Sequence, residues 1–311
     1  MSGPRQKLPA QIALVVLAGL AVALLVFRLG MYERPASPRA DAAAAPGARS
    51  SDAGVRALVL SVEGEVQRGT AAGPWMKLAP GHLVRPDELL RTGANGRTDL
   101  SIGQRSRLTI GAASEVKIQE LTGMVHRFRL TRGQMIADYE AEGQRVLRVE
   151  DGRGEAVAEA RSARFSVLST GTAIAVATSA GEVELRSHRR AVRIAAGQQA
   201  VAMSGASPSP ARPIPTAVLL KIANAATAGS DDVCAEIDGQ AAPGSEVTVD
   251  GEPVQLGPDG HFRRKVARER HKRAAVVAIR DAAGREQTRS VPCSAPPAPI
   301  RDMAIHWGRK P

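Results

Sequence analysis

Aromatic residues are scarce. Trp, Tyr and Phe make up 3% of the 311 residues, which leaves few amphipathic rings for the stacking platforms that glycan-binding faces often use. Only two cysteines occur, Cys234 and Cys293. No C-x-x-C or H-x-x-x-H spacing accompanies them, which argues against a metal centre. The six histidines (His82, His126, His188, His261, His271, His306) are scattered. They form no H-E-x-x-H or triad-like pattern. Gly171-Thr172 is not followed by the Gly-Lys-Ser/Thr of a phosphate-binding loop. Asp87 reads as a hydrogen-bonded turn residue, and His126 as a strand residue facing solvent. Convergent groups of tuned acidity, which catalysis needs, are therefore missing. The expectation is a protein that is not an enzyme and needs no cofactor. The net charge of +11 is spread along the chain rather than gathered on one basic face, which argues against a nucleic-acid partner. No long amphipathic helix appears after residue 30.

What the chain does have is an uncharged run from Leu8 to Phe27. As a helix it spans about 30 Å, the thickness of a bilayer's hydrocarbon core. Arg5 and Lys7 precede it and fit either an anchor or a cleaved signal peptide. The run exceeds the length usual for a signal core, and no small-x-small cleavage site follows Phe27 directly. The expectation is a single-pass anchor over residues 8–29, a short cytoplasmic tail over 1–7, and the bulk of the chain on the periplasmic side of an inner membrane. Arg28, Arg34 and Arg39 on the far flank argue against that orientation.

Composition marks further joints. Residues 30–54 hold an Ala-, Pro- and Ser-rich flexible linker. Residues 205–216 carry four prolines and read as a stiffer linker. Residues 294–311 read as a disordered tail. Between the joints, segments such as Glu115–Gln119, Val125–Leu130 and Gly181–Leu185 alternate apolar and polar residues. Period two puts one face inward and one in water. Turn signals about every ten residues then suggest short antiparallel strands in an all-β roll or sandwich. A small unit recurs at Val62-Glu-Gly-Glu-Val66, Thr131-Arg-Gly-Gln-Met135 and Ser179-Ala-Gly-Glu-Val183. Each places Gly two residues before an apolar strand position, where glycine permits a bulge or a tight turn into the strand. The helix-like composition of Gly154–Arg161 is too brief and too alanine-rich to assign an element.

Cys234 and Cys293 fall near the two ends of the C-terminal part. That placement suggests a disulfide and an oxidising compartment. Two unrelated buried thiols are the alternative. Arg263, Arg264, Lys265, Arg268, Arg270, Lys272 and Arg273 form the one dense basic run. It reads either as a solvated strand edge guarded by cations or as a contact for anionic lipid, lipopolysaccharide or an acidic glycan.

The residues from about 55 to 204 resemble a FecR-like domain. Val62-Glu-Gly-Glu-Val66, Trp75-Met-Lys-Leu78, Pro80-Gly-His-Leu83 and Asp87-Glu-Leu-Leu-Arg-Thr92 carry the first half of the likeness. Leu130-Thr-Arg-Gly133, Phe165-Ser-Val167, Gly181-Glu-Val-Glu-Leu185 and Ala196-Gly-Gln198 carry the second. Trp75, inside this pattern, reads as a core residue. The sequence departs from the family at Arg161-Ser-Ala163 and Gly103-Gln-Arg-Ser106. The resemblance implies a periplasmic β domain. It also implies a sigma-factor-binding cytoplasmic region, for which seven residues before the apolar run leave no room. Residues 217–293 look like a bacterial Ig-like module of the glucodextranase-B-like kind. Gly239–Gly251, Pro258–Phe262 and Ala275–Gly284 carry that likeness, with Asp250-Gly251 as a hairpin signal.

The reading that follows is an all-β, membrane-anchored periplasmic scaffold or sensor that binds a protein, peptidoglycan or another anionic envelope polymer. A FecR-type transmembrane signalling regulator, anti-sigma-like, is the alternative. An envelope-glycan-binding accessory protein is the third.

Overall fold

The computed structural model describes residues 56–224, 236–266 and 274–292. The chain divides into two units, 1–51 and 52–311, and the described residues all belong to the second. The expected anchor, the linker over 30–54, the C-terminal tail, both cysteines, Arg268, Arg270, Lys272 and Arg273 lie outside the described residues. Every regular element among the described residues is a strand. No helix there is long and apolar enough to cross a membrane.

The first module runs through β1 (Ala57–Glu63), β2 (Val66–Gly69), β3 (Met76–Lys77), β4 (Leu83–Val84), β5 (Leu89–Thr92), β6 (Arg97–Ile102), β7 (Ser106–Ile110) and β8 (Glu115–Leu121). It continues through β9 (Val125–Glu140), β10 (Val146–Asp151), β11 (Ala156–Ala160), β12 (Ser162–Ser169), β13 (Ala173–Ser187), β14 (Arg190–Ala195), β15 (Gln198–Met203) and β16 (Arg212–Pro213). Two layers result. One pairs β4, β1, β6, β7, the second half of β9, β12, the first half of β13, β15 and β16. The other pairs β3, β2, β5, β8, the first half of β9, β10, β11, the second half of β13 and β14.

The recurring glycine unit marks where the chain passes from one layer to the other. Gly64 joins β1 to β2, Gly133 bends β9, and Gly181 bends β13. Their φ angles are 62°, 86° and 75°, a region that side chains with a Cβ enter only at a steric cost. A Cβ would also stand 2.1 Å from the Asn95 carbonyl oxygen at Gly64, 2.2 Å from Ser114 Oγ at Gly133 and 2.4 Å from the Ser162 carbonyl oxygen at Gly181. Backbone crowding and positive φ together make glycine necessary at these corners.

Alternation holds along most strands. The inward side chains, Phe128, Phe165, Leu90, Leu100 and Ile118 among them, form one buried cluster between the layers. One expectation needs correction. The module is not wholly antiparallel: β10 runs parallel to β9, from Val146 beside Val125 to Asp151 beside Leu130. Because β9 changes layers along its length, it ends away from its own start. The chain then returns through residues 141–145 and sets out again in the same direction. Within Gly154–Arg161, whose composition assigned no element, Ala156–Ala160 form β11 with Ala156, Ala158 and Ala160 inward.

The proline-rich stretch 205–216 lies along the edge of the first layer. Ser209 N donates to the Val201 carbonyl at 2.8 Å and Ile214 N to that of Gly197 at 2.9 Å. The second module follows with β17 (Leu220–Asn224), β18 (Glu236–Ala241), β19 (Glu246–Val249), β20 (Glu252–Val254), β21 (His261–Lys265), β22 (Ala274–Arg280) and β23 (Glu286–Pro292). Its sheets are ordered β17-β18-β21 and β20-β19-β22-β23. They share a core that includes Leu220, Ile237, Val247, Phe262 and Val277. The hairpin predicted at Asp250-Gly251 joins β19 to β20, with φ of 54° and 81°. Two successive positive φ angles are what a tight two-residue hairpin requires.

Candidate interaction surfaces

The two modules touch. The β22–β23 turn (Asp281–Gly284) and the β18–β19 turn (Ala242–Ser245) seat on the outer face of β12, β13 and β15. Ala282 packs with Leu168, Ala175 and Ala177. Ser166 Oγ donates to the Ala282 carbonyl, and Arg280 donates to the Ala112 carbonyl at 3.1 Å. Arg280 also pairs with Glu246 at 3.3 Å. Burial raises the Glu246 carboxyl above its usual range, and Arg280 opposes that shift. The turn carrying Ala282 is braced by Asp281, which accepts from Arg285 at 2.6 and 2.9 Å. This contact explains why residues 173–178 are buried on both faces.

Gly244 tests the joint. A Cβ there would stand 2.8 Å from Val201 Cγ1 and 3.0 Å from Ala175 Cβ. Gly251 has nearly the same φ, 81° against 80°, with nothing within 4 Å. Gly244→Ala is expected to expose the 205–216 stretch to protease, and Gly251→Ala is not. A joint weakened by about 1.4 kcal/mol opens tenfold more often, and cleavage follows the open population. Limited proteolysis of the two variants reads the difference.

The outer face of the other layer is a ladder of opposite charges. Arg129 meets Glu150 at 2.9 Å, Arg148 meets Glu159 at 2.7 Å and Arg91 meets Glu115 at 3.0 Å. Cross-strand pairs of this kind suit a solvated sheet face. At its edge lies Trp75, which is not a core residue as its place in the sequence pattern suggested. It is 37% exposed. Its indole lies 3.2 Å from where a Cβ of Gly69 would stand, and the Arg91 guanidinium lies 4.3 Å from the ring centroid. The missing side chain on β2 opens a slot on the outer face, and the cation holds the ring there.

His126 is also placed otherwise than expected. It is 2% exposed and faces inward. Nδ1 lies 3.1 Å from Tyr139 Oη, with the rings edge to face at 5.7 Å. The two residues sit near opposite ends of β9 and meet because that strand changes layers. Burial, with a smaller contribution from Arg145, lowers the His126 pKa from 6.5 to about 4, against the opposing pull of Glu142. Burial likewise raises Tyr139 to about 12. His126 Nε2 has no partner among the described residues. Asp87 is an exposed turn residue at φ 67°, paired with Lys117 at 3.0 Å.

Of the basic run, Arg263, Arg264 and Lys265 are described, on β21. Arg263 binds Asp238 at 2.9 Å, which holds that carboxyl below its usual range. Arg264 pairs with Glu252. Lys265 sits opposite Glu236. Much of the positive charge on β21 is therefore answered by neighbouring strands. Two of the better-formed crevices, one beside Gly171 and Ser204 and one beside Pro243 and Ala282, each hold about 10 Å³. That is room for about one water.

The family model described as FecR protein matches residues 88–184, from β5 through the crossing in β13. This span, about a third of the chain, carries a FecR domain. No curated protein sequence matches the chain. Among solved structures, a candidate anti-sigma factor from Parabacteroides distasonis is similar at 12% identity with a TM-score of 0.36. A second crystal structure of such a factor from that organism gives 11% and 0.35. Each alignment covers 40% of this chain and 59% of the other, so this chain spans less than two thirds of their length.

Proposed function

We propose that the chain is a FecR-type signalling regulator, tethered to a membrane by residues 8–27, whose β modules bind a protein on the envelope side. The observation that carries this reading is the FecR family match over residues 88–184. The second module, with its three- and four-stranded sheets, is read as Ig-like and as a fixed extension of the first. A disulfide between Cys234 and Cys293 would tie the approach to β18 to the exit from β23.

A tethered scaffold that sends no signal inward is the second reading. The docking of the two modules into one body favours it, because a spacer works best when stiff. Affinity capture separates the two. A regulator retains a cytoplasmic partner, and that partner is lost when residues 1–7 are replaced. Capture of the same proteins with and without those residues contradicts the regulator reading.

A further inference from the structure

One part of the first layer's outer face is apolar, cationic and uncovered by any other described residue. Leu58 and Leu60 on β1, and Arg56 just before it, are exposed, while Ala57 and Val59 are buried. On β4, Leu83 lies directly opposite Leu58. Arg56 and Arg85 are the residues just outside this ladder, before β1 and after β4, and both are exposed. The three leucines are 37%, 40% and 39% exposed. On β7, Arg107 continues the row through Ser101. None of Arg56, Arg85 and Arg107 forms an ion pair with another described residue. Asp138, directly opposite Arg107 on β9, is held by Arg164 at 2.6 Å, and Glu88 accepts from the Arg85 backbone N–H at 2.8 Å.

Leucines left in water contribute no burial energy to the fold. On the outer face of the other layer, by contrast, Arg129, Arg148 and Arg91 each meet an acid across strands. Apolar side chains rimmed by unanswered arginines match an anionic membrane surface, where the chains enter the acyl boundary and the guanidinium groups meet phosphate. The place in the sequence agrees. The strip begins at Arg56, about 30 residues after the apolar run ends at Phe27. The r.m.s. end-to-end distance of a flexible chain of that length is about 30 Å. The second module seats on the same layer at β12, β13 and β15, leaving β1 and β4 open.

We infer that Leu58, Leu60 and Leu83, with Arg56, Arg85 and Arg107, form a docking surface for the anionic lipid of the membrane that holds the anchor. This rests on the tethered reading above. Docking would hold the β modules against the bilayer until a partner competes for the face.

The test uses the full chain in phosphatidylcholine vesicles made with and without phosphatidylglycerol. A photoreactive benzoylphenylalanine replaces Leu83 in one variant and Arg193, on the outer face of the other layer, in a second. Lipid adducts are expected at position 83 and not at 193. They should increase with phosphatidylglycerol and be lost when Arg56→Gln and Arg85→Gln are combined. Equal adducts at both positions overturn the inference, as do protein–protein adducts alone at 83, which would mark a second copy as the occupant. Protein that fails to float with the vesicles overturns the tethered reading as well. Protein that floats without lipid adducts overturns only the docking surface.

Discussion

Replacing Gly133 with alanine is expected to unfold the first module, whereas the same change at Gly171 costs only about 1–2 kcal/mol. Both residues have positive φ, 86° and 83°, so both variants carry the left-handed penalty. They differ in what surrounds them. At Gly171 nothing lies within 4 Å of a Cβ. At Gly133 the Cβ would meet Ser114 at 2.2 Å from Oγ and 2.5 Å from Cα. Ser114 cannot retreat, because it holds the corner. Its Oγ accepts from Gln134 N at 2.9 Å, and its own N–H donates to Thr92 Oγ1 at 2.8 Å. A collision with fixed backbone belongs to the rare class of changes costing more than about 4 kcal/mol. That is a large share of the about 5–15 kcal/mol that holds a domain together. Urea unfolding followed by circular dichroism compares the two variants directly. Similar midpoints would mean that the corner relaxes, and that the crossing is not what fixes the glycine.

The second large effect is acid sensitivity. Unfolded, His126 takes up a proton near pH 6.5; folded, it resists until about pH 4. The sign follows from which state binds the proton first. Above pH 6.5 the residue is neutral in both states and has no effect. Between 6.5 and 4 the unfolded state binds the proton first, so stability falls by about 1.4 kcal/mol per pH unit. Below pH 4 the loss levels off at about 3 kcal/mol. Substituting His126→Phe together with Tyr139→Phe should flatten this part of the profile and leave stability at neutral pH nearly unchanged, since an apolar pair replaces a polar one. His126→Phe alone should cost about 1–3 kcal/mol at neutral pH by leaving the tyrosine hydroxyl buried and unpaired. Urea midpoints at several pH values measure both. An unchanged acid profile in the double variant would place the sensitivity elsewhere.

Much of the fold was legible. Alternation located the strands, the Asp250-Gly251 pair located a hairpin, and the three glycine units marked the corners. Their meaning as layer crossings was hidden, because a change of layer depends on what the neighbouring strands do. The same feature hid the parallel pair of β9 and β10. His126 misled by its polarity, although its parity with Phe128 and Leu130 on β9 placed it inward. Trp75 misled because its slot exists only through the absence of a side chain at Gly69 on another strand. The docked face did leave a trace: Ala173–Ala177 is continuously apolar where the other strands alternate, the mark of a strand buried on both sides. Nothing in the pattern said which element covers it.

The central claim, that a FecR-bearing envelope module relays a state across the membrane, is tested most directly by crosslinking the full-length protein in intact cells and identifying its partners by mass spectrometry. The account predicts two sets of partners, an envelope protein joined to the β modules and a cytoplasmic regulator joined to the N-terminal residues. Capture of envelope or wall-associated proteins alone would contradict it and leave a tethered scaffold.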